Sequence, residues 1–328
     1  MGLLGKVRRR INRLLNASPQ NGPVINIRKR KEGLWQSSES VDRYVAATSQ
    51  PTVAMSVEED FAEAWAQGWT LDVGAGTGRF SRRVAAQGHP VVAVDISAAM
   101  LEAGLKIASR PYFCNVCSAY NLPAPDECFD TVISFWFLLH FGEWPNLLRE
   151  MARVLKPGGR LVVEVMNRAH LDAGIAIRPD FPMAINSPKP DSFTAWVSPD
   201  EARAVLEPLG LFSKQVVQYD LFTENAIAQA RLGAGYNSWI QEIQQLMKDP
   251  DCRQYWRRFE QLILPKLPES TGRRLILCFE KGLNQSSQFS YPSPPPPVGE
   301  TPTIRRSLEL FRAAYGDILP ATLLSEMA

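Results

Sequence analysis

Leu71-Asp72-Val73-Gly74-Ala75-Gly76-Thr77-Gly78 places three glycines in five positions directly after an apolar run. Glycine lets a backbone approach a ligand closely, and a helix opening there offers free N–H groups to a carboxylate or phosphate. The same glycines would also serve a plain tight turn. Asp95 follows at the end of Val91-Val92-Ala93-Val94-Asp95, where a carboxylate can accept hydrogen bonds from two ribose hydroxyls. Together they suit a nucleotide-like ligand. The dinucleotide fingerprint G-x-G-x-x-G would need glycine at 79 after Gly74 and Gly76, but the chain has Arg79 there and Gly78 one place early. An NAD-dependent oxidoreductase is thereby disfavoured. Phe135-Trp136-Phe137 offer aromatic faces, which attract cations, and plain core packing is the equal alternative. His140 is the first candidate for a general base and His170 the second, each against a structural role. His89 falls on the far side of the sheet. Cys114-x-x-Cys117 has the spacing of half a zinc site, but no second pair follows, so buried structural thiols are expected.

These residues need a scaffold of alternating strands and helices. Apolar runs predict strands at Trp69–Val73, Pro90–Asp95, Pro111–Val116, Phe129–Phe135 and Arg160–Met166, with helices at about 78–87, 98–108 and 145–155 between them. Lys156-Pro157-Gly158-Gly159 reads as a turn. Val41 to about Gln67 is helical in pattern. Ser198-Pro199-Asp200-Glu201 starts another helix, with Ser198 as its cap, and 212–222 is a strand. Residues 224–265 are helical, and 273–280 form the final strand. Pro292–Pro297 is a stiff extended linker before a last amphipathic helix at about 302–315. The expected architecture is α/β: a Rossmann-like, doubly wound, mostly parallel seven-stranded sheet with a helical insertion before the last strand. The domain reading is a basic arm and linker at 1–40, a main domain at 41–282 with the insertion at 224–270, a Pro-rich linker at 283–301 and a helical tail at 302–328.

Leu71–Gly78, Val94-Asp95, Asn121-Leu122-Pro123, Phe129-Asp130-Thr131-Val132-Ile133 and Arg153–Gly159 occur in one order and spacing. In these the chain resembles the class I S-adenosylmethionine (SAM)-dependent methyltransferases, especially those with small-molecule acceptors. The resemblance covers about residues 60–222. It implies SAM as cofactor, with Asp72, Gly74, Ala75 and Gly76 at the methionine end and Asp95 on the ribose. Ile96 would pack on the adenine, and Ser118 and Ala119 would meet its edge. Ser134 and Phe135 would lie under the methionyl part, and Arg43 and Tyr44 would cover the cofactor. The family often has an acid where this chain has Ser118, and a hydroxyl accepts the adenine amine's bond more weakly. A catalytically weak or inactive SAM-binding protein is therefore the alternative to an active methyltransferase. The resemblance also implies that the insertion roofs the acceptor pocket, with Tyr236, Trp239, Tyr255 and Trp256 lining it or forming the insertion's own core.

Net charge is +2, but the first 31 residues carry nine basic side chains and no acid, leaving 27 basic against 34 acidic residues in the rest. An acidic body disfavours a broad nucleic-acid surface. Ser134-Phe135-Trp136-Phe137 also stands where amino-directed DNA methyltransferases carry an Asn/Asp-Pro-Pro-aromatic tetrapeptide. Leu3, Leu4, Val7, Ile11, Leu14 and Leu15 fall at helical spacing among arginines, so residues 3–15 are a candidate for peripheral contact with an anionic membrane, against a helix packed on the body or a transit peptide. No apolar run suits a membrane span, and five cysteines suit a reducing, cytoplasmic setting. The expected acceptor is a small molecule or lipid-like compound.

Overall fold

The computed structural model describes residues 37–48, 51–109, 111–179, 194–282 and 291–316, with 318 and 327. The arm at 3–15 lies outside them. Two helices come first, α1 (Ser38–Thr48) and α2 (Val53–Trp65). The expected single helical stretch is thus divided. Pro51 has no N–H to give a helix. Thr52 then caps a new start by accepting from Met55 N.

Then β1 (Thr70–Val73), α3 (Arg79–Ala86), β2 (Val91–Asp95), α4 (Ala98–Lys106), β3 (Phe113–Val116) and β4 (Phe129–Ser134) follow in alternation. After them come α5 (Trp144–Val154), β5 (Leu155–Asn167), α6 (Arg168–Ile177), the two-residue β6 (Trp196–Val197), α7 (Pro199–Leu206) and β7 (Leu211–Tyr219). The insertion holds α8 (Ala226–Leu232), α9 (Tyr236–Leu246) and α10 (Pro250–Leu262); β8 (Arg274–Lys281) and α11 (Pro302–Tyr315) follow it.

The sheet runs β3-β2-β1-β4-β5-β8-β7, with β6 paired to the end of β5. β8 is antiparallel to both neighbours; the other ladders are parallel. The chain winds outward from β1 to β3 and then returns to place β4 on the other side of β1. That reversal opens a crevice at the carboxyl ends of β1 and β4, where such sheets bind ligands.

Both sheet faces are covered, so adjacent residues of one strand enter different cores. Val132 packs with α5 and α7 residues such as Leu147, Met151 and Leu206, whereas Ile133 packs with Phe61, Trp65 and Phe80 of α2 and α3. This is why these strands read as unbroken apolar runs. The expected turn at 156–159 lies inside β5 as a wide bulge. Leu155 pairs with Phe129 and Arg160 with Thr131, so four residues bow out opposite Asp130. Gly158 has φ +76°, and the Lys156 ammonium reaches Asp130 at 2.8 Å. Ser198 and Glu201 form a complete capping box at the start of α7.

Neither α6 nor β6 is announced by a sequence pattern. Gly174, a weak helix residue, sits inside α6 because an added Cβ would meet Ala226 Cβ of α8 at 2.8 Å. His170 holds the same junction. It is fully buried, its Nδ1 lies 2.9 Å from Ser270 O, and its Nε2 accepts from Ala226 N at 3.1 Å. Burial pushes its pKa down to about 4. It is a neutral clamp, not a base.

Tyr236, Trp239, Tyr255 and Trp256 belong to a core shared by α8, α9, α10 and α11. Trp239 Nε1 donates to Leu310 O and Trp256 Nε1 to Ser307 Oγ, both at 2.8 Å. The last helix is therefore seated in the insertion's core.

Beneath that core, Glu260 is buried and accepts from Asp220 N and Leu221 N at 3.2 and 3.1 Å. Burial, helped by the Asp220 charge, pushes its carboxyl up from 4.5 to about 8. An acid whose pKa rises on folding binds its proton more tightly in the native state, so its contribution is lost as pH climbs toward the folded pKa. His170 (6.5 to about 4) and Asp72 (3.8 to about 6) act mainly below pH 6.5, so of these three Glu260 dominates the window from there to pH 8. Wild-type stability should fall by about 2 kcal/mol across that window. Glu260→Gln should flatten the fall. Urea titrations at pH 6.5 and 8 check this; an equal pH effect in both proteins would refute it.

Candidate functional site

The glycine loop owes its shape to a buried carboxylate. Asp72, at the end of β1, accepts from Ser81 N at 3.1 Å and Ser81 Oγ at 2.6 Å, which ties the strand to the first turn of α3. Burial still pushes its carboxyl up to about 6. Between these ties Gly74, Gly76 and Gly78 all take positive φ, +71°, +55° and +67°. At Gly78 an added Cβ would meet the Tyr112 hydroxyl at 2.4 Å, so this glycine serves helix–sheet packing. At Gly76 the nearest atom would be the Tyr44 hydroxyl, 3.9 Å away, so a Cβ there meets no clash and the space beside the loop is bounded by Tyr44.

That space is part of a cavity of about 240 Å³ at the crevice. Gly74, Gly76, Asp95 and Ile96 line one part; Met100, Cys117, Ser118, Ala119 and Tyr120 line another. Phe135, Trp136, Phe137, His140 and Phe141 form an aromatic side, and Tyr44 of α1 also faces the cavity. Asp95 Oδ2 accepts from Gly76 N and Oδ1 from Ser97 N, each at 2.9 Å. Burial raises its pKa against the pull of those bonds. Each carboxylate oxygen retains acceptor capacity for a ribose hydroxyl.

Some expected residues lie elsewhere. Asp72 acts from beneath, through Ser81. Ala75 is buried in the α2/α3 core, and Ser134 Oγ donates to Val73 O at 2.9 Å, joining β4 to β1. None of the three lines the cavity. Arg43 is exposed and pairs with Glu39, away from it. The four insertion aromatics do not line it either, because they face their own core. Arg79 holds no ligand group: its guanidinium donates to the buried Glu58 at 2.6 Å.

The structure also adds residues. Cys117 is a cavity residue, its thiol pushed up by burial, and not a deeply buried one. Among the described residues no group of His, Cys, Asp or Glu could hold a metal ion. Met100 and Phe141 carried no signal in the sequence, since one faces the cavity from a helix and the other from just after the short 3-10 turn Leu138–His140.

Residues 71–163 match the model of a methyltransferase domain family. This stretch belongs to the SAM-dependent methyltransferases. The methyltransferase domain is 43% identical over 96 residues to demethylmenaquinone methyltransferase of Tropheryma whipplei (strain Twist), covering 28% of this chain and 39% of that protein. It is 40% identical over 111 residues to the ubiquinone/menaquinone biosynthesis C-methyltransferase UbiE of Vibrio campbellii, covering 31% and 42%. The chain thus spans about two-fifths of the length of these relatives. A solved SAM-dependent methyltransferase of Thermotoga maritima superposes with a TM-score of 0.46 at 16% identity, covering 76% of this chain and 98% of that one. The family's cofactor is SAM. The cavity fits it: a side chain at Gly76 would fill the space beside Tyr44, and Asp95 stands where a ribose can be held. Among the described residues no helix is long and apolar enough to cross a membrane.

Proposed function

We propose that the chain transfers the methyl group of SAM to a small, largely apolar acceptor by in-line displacement. The observation that carries this reading is one cavity in which the glycine loop and Asp95 face an aromatic side at the sheet's carboxyl end. When bound, SAM supplies a methyl group on a sulfonium, already activated. The chain's residues then have to align and shield. Asp95 would hold the ribose, with Gly74 and Gly76 letting the backbone approach and Ile96, Ser118 and Ala119 meeting the adenine. Phe135 and Phe137 would exclude water from the reacting end. His140, on the cavity's rim, would accept the proton of a hydroxyl or ring acceptor.

The matched relatives are named for quinone substrates, which supports a neutral ring-bearing or lipid-like acceptor. Calorimetry with SAM and S-adenosylhomocysteine should show binding of both. Labelled SAM with a cell extract should then mark the acceptor, and His140→Gln should slow that transfer by about a hundredfold with unchanged SAM affinity. Absence of binding by either nucleoside would leave a non-catalytic partner protein as the reading. A lipid-like acceptor would also suit residues 3–15 as a membrane-surface arm. Anionic vesicles should then pellet the full chain but not a version lacking residues 1–31; equal pelleting removes the arm's role.

A further inference from the structure

Trp136 is held more tightly than a wall residue needs. It has φ +56°, a left-handed conformation that costs a bulky side chain energy and calls for compensation. Its backbone N–H donates to Glu164 Oε2 at 2.9 Å, and its indole N–H donates to Glu58 Oε1 at 2.5 Å. The Arg274 guanidinium lies over its ring, 4.5 Å from the centroid. Glu58 and Glu164 are fully buried, and Arg274 nearly so. Each is itself fixed. Glu58 also accepts from the Tyr219 hydroxyl and from Arg79, and Arg274 donates to Glu164 at 2.7 Å and Asp220 at 2.9 Å. Three elements, α2, β5 and β8, thus bring charged side chains to one residue that lines the cavity: Glu58 to its indole N–H, Glu164 to its backbone N–H and Arg274 to its ring face.

We propose that Trp136 is the platform for the acceptor, that Glu58 is the positioning residue that sets its ring, and that the platform selects a neutral planar acceptor over a cationic one. This rests on the reading of the cavity as a SAM and acceptor site. An aromatic face draws cations by its electron density, but Arg274 already occupies that interaction. A second cation would have to compete with that guanidinium for the same electron density, and gains little from the ring. A neutral ring stacks without that competition and gains from apolar burial. The indole bond to Glu58 fixes the ring's tilt, which rotation about the side chain would otherwise leave free.

The test uses two probes of equal size with the full chain: 2-naphthol, neutral at pH 7, and the cation N-methylquinolinium. Calorimetry with saturating S-adenosylhomocysteine should show 2-naphthol binding at least about tenfold more tightly. Glu58→Leu, which removes the acceptor of the indole N–H, and Trp136→Leu should each weaken 2-naphthol about tenfold and leave S-adenosylhomocysteine within about twofold. In protein carrying 5-fluorotryptophan, the fluorine resonance lost in Trp136→Leu should shift with 2-naphthol, and should broaden and cease to respond in Glu58→Leu. Equal affinity for the two probes overturns the proposal. So does unchanged 2-naphthol affinity in a folded variant; if Glu58→Leu fails to fold, Trp136→Leu decides. If S-adenosylhomocysteine does not bind the wild type, the cofactor reading fails, and the fluorine response to 2-naphthol alone still decides the platform.

Discussion

Gly76→Val is expected to reduce S-adenosylhomocysteine affinity at least about a hundredfold while leaving a folded protein. A valine at φ +55° is strained by roughly 1–2 kcal/mol, which the fold can bear. Its Cβ meets nothing in the protein closer than the Tyr44 hydroxyl at 3.9 Å, so the fold has no clash to relieve. The added carbons project into the cavity between the loop and α1, where the ligand must come close to backbone. Gly74→Ala is the informative contrast. There φ is +71° and the new methyl would stand 2.3 Å from Phe137, so the fold itself should suffer. Calorimetry paired with thermal melting separates the two. Gly76→Val binding at wild-type affinity would mean the site has been misplaced.

Phe311→Ala is expected to cost about 3–5 kcal/mol, a loss of much of a domain's stability. Phe311 is fully buried, with ring contacts to Phe222, Trp256, Phe259 and Tyr315 at 4.6 to 6.5 Å. It lies beyond a proline-rich stretch that reads as a linker, so a dispensable tail would lose nothing on this change. Urea denaturation measures the cost. A loss below about 1 kcal/mol would show that α11 is dispensable to the insertion's core. S-adenosylhomocysteine affinity in the surviving native fraction should stay at the wild-type level, because α11 does not line the cavity.

How much of this was legible depended on how local each cause was. The strands of the sheet could be read because burial on both faces leaves a continuous apolar run, and α7 because its cap, proline and glutamate sit within four residues. Gly74, Gly76 and Asp95 could be placed because a loop and a strand end fix their positions. Asp72 and Ser134 look equally apt in sequence, yet their side chains turn to Ser81 and Val73. That choice depends on a neighbouring strand and helix, which no spacing encodes. The insertion aromatics were ambiguous for a related reason. A helical stripe says that a face is buried, not against what, and here the partner is a helix 51 to 71 residues further on. Glu58 carried no signal at all: a glutamate in an amphipathic helix reads as solvated until Trp136, Tyr219 and Arg79 converge on it.

The placement of β8 has a consequence for how the chain is made. It sits between β5 and β7, yet it leaves the ribosome after both of them and after the whole insertion. Until then β5 and β7 each present an unpaired ladder edge, and the nascent sheet cannot close. Such edges invite pairing with other chains. Synthesis that halts before residue 274 therefore releases a product with two sticky borders and a cofactor loop already in place. The two borders stay open until β8 has emerged and paired, so the exposure of the nascent chain to aggregation ends only once residue 281 has been made.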